Sequence, residues 1–223
     1  MGYLNLLARP WGVQRWRVRV AWLRIRGRTG AFKVVEDSAR ARRLTAAWEN
    51  AWPGAAPDGY MSAEDRWVRF HSLPESKRYA DSEAEYGEIL RRHYAVLDAL
   101  SGGTAYEQLV VIGVDYGPND LVTGWTRRYL PGAWPWQCRL DADDPDRGPS
   151  YFWVKSEPSQ PELDTLLRAV ADDYAQIIVI PTDASWVFKP YDGGADIYAA
   201  DRIDRDALRD RFADWLSKRA DGL

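Results

Sequence analysis

Residues 67–86, WVRFHSLPESKRYADSEAEY, gather a histidine, three serines, a lysine, two arginines and four acids into twenty positions. In such a stretch His71 can serve as a general base toward Ser72 or Ser76, while Lys77, Arg78 and Tyr79 grip an anion or a partner. The competing reading is structural. His71 ends a strand, Pro74 turns the chain, and Ser82 with Glu85 three residues later forms the capping box of a helix. Ser76 to Tyr79 also precede that helix, where free amides favour anions, but the glycines of a phosphate cradle are missing.

A second group surrounds Gly193 and Gly194. Asp192 and Asp196 bracket this diglycine, with Asp183 upstream, and such carboxylates suit a metal or an acid/base pair. Turn chemistry explains most of it: Asp192 bonds nearby backbone and the glycines take positive φ. Asp196 fits that account less well, because it interrupts a strand carrying Ala195 and Ile197. A hydrolase would require His71 to meet Asp115, Asp183 or Asp196 in one pocket.

The remaining reactive groups read as structural. His93 shares a helical face with Leu90 and Leu97, as a core histidine does. Cys138 is the single cysteine, which excludes an internal disulfide and any multi-cysteine zinc or iron–sulfur site. Two histidines leave little for a histidine-based metal centre. No GxxxxGK[ST] or GxGxxG motif occurs. The candidate ligand- or partner-binding residues are therefore His71, Lys77, Arg78, Tyr79, Asp192 and Asp196, with no catalytic role, metal or cofactor assigned.

Composition sets the frame that must hold these residues. The chain has 223 residues, 46% of them hydrophobic and 28% charged, enough for one sizeable core. No apolar run approaches the roughly 20 residues of a membrane span, and no secretory pattern is present, so a cytoplasmic protein is expected. Twelve tryptophans and twelve tyrosines can fill a core or line a binding groove.

Charge is unevenly spread. Residues 1–30 carry seven arginines and no acid, leaving −10 on the remainder of a chain whose net charge is −3. Residues 15–22 alternate in the two-residue period of a strand. The segment 1–36 reads as an edge strand, as a basic arm for nucleic acid, or as the product of a start codon placed too far upstream. Residues 37–223 read as one globular domain.

Within that domain the pattern predicts a helix from Ser38 to about Trp52, a strand over 67–71 and a helix from Ser82 to Leu100 ended by Gly102 and Gly103. Strands follow at 107–115, 134–140 and 151–155. A helix starts at Ser159 and Pro161, and a strand covers 176–181. A hairpin joins 186–189 to 195–199 around residues 190–194. Asp204 is expected to cap a last helix bearing Leu208, Phe212 and Trp215. The fold class is α+β or α/β, a single mixed sheet with helices packed on it.

The segments WVRFHSLPESKRYADSEAEYGEILRRHYAVLDAL and KPYDGGADIY…DRDALRDRFADWLS resemble small bacterial proteins of unknown function, across roughly residues 44–217. The hairpin followed by an acidic helix also loosely resembles toxin-immunity domains. That resemblance, with the acidic domain, implies a binding, immunity or regulatory module acting on a protein partner such as a basic toxin. An enzyme, the small hydrolase using His71, is the alternative.

Overall fold

A computed structural model describes residues 33–34, 38–59, 61, 63–103, 108–116, 124–140 and 149–217. The arginine-rich segment through residue 32, including its expected strand, lies outside the described residues. So do residues 141–148.

Among the described residues eight strands form one sheet: β1 (Lys33–Val34), β2 (Trp67–His71), β3 (Leu109–Tyr116), β4 (Trp134–Leu140), β5 (Pro149–Ser156), β6 (Ile177–Pro181), β7 (Val187–Tyr191) and β8 (Gly194–Tyr198). Their order across the sheet is β1-β4-β5-β3-β6-β7-β8-β2. Every pairing among the described residues is antiparallel, so the fold is α+β, and these strands lack the parallel neighbours that a mixed or α/β arrangement would contain.

Among the described residues five helices accompany it: α1 (Ala39–Ala51), α2 (Glu83–Ser101), α3 (Gly124–Tyr129), α4 (Gln160–Ala171) and α5 (Arg202–Arg211). Central strand β3 is buried on both faces, and its residues alternate between two cores. Val111 joins Val179, Phe188 and Ile197 beneath α2, α4 and α5, which contribute Leu97, Leu166, Val170 and Leu208. Ile112 joins Ile178 and Val187 on the other face, covered by Leu44, Trp48 and Trp52 of α1 and its end. Much of the tryptophan content is spent here: Trp48 meets Trp52 and Trp136 at 6.5 and 6.2 Å between ring centres. Burying each large side chain contributes roughly 2 kcal/mol.

Caps confirm three of the expected helix starts and shift one. Ser38 Oγ accepts from the Ala41 amide at 3.2 Å, and Ser82 Oγ from the Glu85 amide at 3.3 Å. Glu85 does not complete a box on Ser82; its carboxylate accepts the Asp81 amide at 2.6 Å, one residue earlier. The reciprocal contact forms instead at α4, where Glu162 accepts the Ser159 amide at 2.9 Å. Helix α5 is capped by Asp201 rather than Asp204: the Asp201 carboxylate accepts the Asp204 amide at 2.9 Å.

The β7–β8 hairpin is tighter than its sequence suggests. Its strands run to Tyr191 and resume at Gly194, leaving only Asp192 and Gly193 as the turn. Neither glycine has positive φ, which corrects the turn chemistry expected there. Gly194 is needed for another reason. A Cβ at this position would stand 2.1 Å from the Phe70 carbonyl oxygen of strand β2.

Candidate functional site

The tight turn sets the register β7 to β8, and with it an ionic row. Lys189 pairs with Asp196, and Asp196 with Arg69 of β2, so a cation, an anion and a cation lie side by side across three strands. Arg69 grips Asp196 with two hydrogen bonds, Nε to Oδ1 at 2.7 Å and Nη2 to Oδ2 at 2.8 Å. The Trp67 indole donates to the same Oδ1 at 3.1 Å. Asp196 is thus a fixed structural anion, and its break in the strand pattern marks this clamp.

Lys189 is held differently. Its ammonium donates to the Gly59 carbonyl at 2.8 Å and stands 5.4 Å from the centre of the Tyr198 ring. It forms no ion pair among the described residues, although the charges of Asp58 and Asp196 are felt there. Burial dominates and lowers its pKa to about 8. Burial likewise raises the Tyr191 phenol to about 12, two residues along the same strand face.

These side chains line a cavity of about 630 Å³ where β3 ends, β6 begins and the hairpin turns. Its walls include Asp58, Asp115, Trp125, Asp173, Tyr174, Lys189, Tyr191 and Asp192. Trp125 can approach because β3 carries Gly113, where a Cβ would stand 2.9 Å from that indole. Asp58 is fixed by the Ser150 hydroxyl, which donates to it at 2.9 Å.

Two of the six residues singled out from the sequence line this cavity, and two more reach one of them. Asp192 and Asp196 line it. Arg78 reaches buried Asp192 with Nε at 2.5 Å, an attraction that raises its pKa. Tyr79, 48% exposed, has its phenol pKa raised by the Asp192 carboxylate it faces. Asp192 therefore answers Arg78 and Tyr79 across the fold, a contact that local turn chemistry does not foresee.

The other two stand apart. Lys77 pairs with Asp81 at 2.8 Å and Glu85 at 2.5 Å, so it serves the start of α2. His71 lies at the end of β2 with a buried Nε2 that has no hydrogen-bond partner. Burial lowers its pKa, and the nearby guanidinium groups of Arg69 and Arg92 add to that. It makes no hydrogen bond or ion pair with Asp115, Asp183 or Asp196. Asp183 accepts the Ser185 amide at 3.0 Å in a local turn.

His93 is buried and neutral, its pKa lowered to about 4 by burial, and its ring meets Phe188 edge-on at 5.6 Å. Cys138 is half-buried on β4. Among the described residues no group of three or more His, Cys, Asp or Glu could hold a metal ion, and no helix is long and apolar enough to cross a membrane.

Arg69, Lys189, Tyr191 and Asp173 were not singled out from the sequence, and Tyr174, whose spacing from Leu163, Leu166, Leu167 and Val170 predicts a buried helical position, is instead 62% exposed beyond the end of α4. The signal for the first two was present: charges inside the apolar strands WVRFH and VFKPY call for partners, and a two-residue turn at 192–193 pairs Lys189 with Asp196. Arg69→Ala is expected to lower stability by about 2 kcal/mol, because it strands a half-buried carboxylate that loses two charge-assisted bonds. Asp196→Asn should cost less, and urea unfolding of both single variants and the double variant measures the coupling. Additive costs would rule the clamp out.

Neither the curated proteins nor the solved structures contain a match to this chain. Residues 61–220 match the domain of unknown function DUF3885, a span that starts just before β2 and includes the clamp, the hairpin and α5, and the chain belongs to that family.

Proposed function

We propose that the domain is a protein-binding module that docks a basic partner on the surface formed by Asp173 and Tyr174 in the cavity wall and by Tyr79 beside them. The carrying observation is the exposure of two tyrosines, 48% for Tyr79 and 62% for Tyr174, beside an open cavity. Asp173 forms no ion pair among the described residues, and its charge acts on both Arg78 and Tyr79. A carboxylate flanked by exposed phenols suits an arginine or lysine of the partner, through charge and cation–π attraction. The −10 carried outside residues 1–30 steers the same kind of partner. A basic toxin has this chemistry, and blockade of its surface is the immunity form of the proposal.

Native co-purification with mass spectrometry tests it, comparing wild type with the Asp173→Asn, Tyr174→Ala double variant. The expected result is a basic protein retained by wild type and reduced at least about tenfold with the variant, whose circular dichroism is unchanged. Equal recovery by both proteins, or no basic partner with either, overturns the reading.

A further inference from the structure

We propose that Lys189 is a nucleophilic amine that condenses with the carbonyl carbon of a small aldehyde or ketone admitted to the cavity. The comparison with the other described lysine side chains carries this. Lys77 is neutralised by Asp81 and Glu85, and Lys155 pairs with Glu162 while also donating to the Pro131 carbonyl. Lys189 donates to one neutral carbonyl, has no ion pair among the described residues, and lines the cavity. A lysine becomes a nucleophile when its ammonium form loses stabilisation, and burial without a carboxylate partner does that.

The surroundings suit the chemistry. Tyr191 follows on the same strand face, and burial keeps its phenol protonated. Its oxygen stands beside Gly194, 3.1 Å from where a Cβ would be. In the addition step the amine lone pair forms a C–N bond as the carbonyl π pair moves to oxygen. Nitrogen then loses a proton and oxygen gains one, giving a carbinolamine. A second nitrogen proton and the hydroxyl leave as water, and an imine remains. The Tyr191 phenol supplies a hydrogen bond to the developing alkoxide. Trp125 and Tyr174 in the cavity wall favour a carbonyl compound with an apolar or aromatic body.

The proposal does not depend on a protein partner, and its test needs none. The folded full chain is treated at pH 7.5 with limiting benzaldehyde and cyanoborohydride, which reduces any imine to a stable secondary amine. Peptide mapping then gives the labelling rate at each lysine. Lys189 is expected to react at least about tenfold faster than Lys77 and Lys155, a preference that disappears in urea. Tyr191→Phe should slow labelling at Lys189 alone. A folded protein in which Lys189 reacts no faster than Lys77 and Lys155 overturns the proposal.

Discussion

Gly194→Ala is expected to lower stability by about 3 kcal/mol, near the upper end of what one misplaced methyl costs in a packed region. The added Cβ would lie 2.1 Å from the Phe70 carbonyl oxygen and 3.1 Å from its carbon, and both are backbone atoms. A side chain could turn away; a paired strand cannot. Relief requires β2 to separate from β8, which also breaks the Arg69–Asp196 clamp. Gly87→Ala at an exposed position of α2 is the internal control. A Cβ there meets nothing within 4 Å, so the change should raise stability by about 0.8 kcal/mol through helix propensity. Urea midpoints of the two variants should move in opposite directions. A Gly194→Ala midpoint within error of wild type would show that the strands are not held this close.

Acid should unfold this domain through His93. In the folded state its pKa is lowered from 6.5 to about 4, chiefly by burial and secondarily by the charge of Arg92. The unfolded chain therefore binds a proton that the folded chain refuses between those values. This contribution is complete above pH 6.5, declines as pH falls, and is fully lost below about pH 4. The total is about 3 kcal/mol, from 1.36 kcal/mol per pKa unit. Glu88, held at about 2 by Arg91 and Arg92 against the cost of its own burial, adds a separate loss that begins only below 4.5. The two windows are distinguishable. Urea unfolding between pH 4 and 7 should show a steep wild-type slope that His93→Gln reduces, the remainder coming from His71, whose pKa burial also lowers. Identical slopes in both proteins would refute this assignment.

His93 also illustrates what local pattern conveys. Its spacing from Leu90 and Leu97 identified a core position, because a helix shows its buried face every three to four residues. The helix starts at Ser38 and Ser82 were legible for a similar reason: a cap is made by atoms within a few residues of one another. Where several local acceptors compete, the choice was less legible. Asp201 caps α5 although Asp204 stood closer to the apolar residues, and Glu85 serves the Asp81 amide instead of Ser82.

The candidate site was partly readable. Asp192 and Asp196 were recognised as unusual, but their partners lie 114 and 127 residues away, at Arg78 and Arg69. Lys189 looked like one more charge in a strand until the two-residue turn put it opposite Asp196. A hairpin of five turn residues, the expectation from the diglycine, would have left it at a strand end with no defined partner.

By itself the sequence determined that helices pack on a sheet, either α+β or α/β, most of the helices and strands, and the surplus of acid outside residues 1–30, since these follow from periodicity, local capping and composition; the antiparallel pairing decided for α+β. Tertiary structure alone decided which charges meet. It made Asp196 a clamp, Asp192 the anchor of Arg78, Lys77 a helix-start residue and Lys189 a buried amine. The physical reason is that strand order and register bring together residues with no sequence proximity, and burial then sets their chemistry. The stretch WVRFHSLPESKRYADSEAEY accordingly divides among β2, a helix cap and two side chains that hold Asp192, a cavity-wall residue in the hairpin near the other end of the chain.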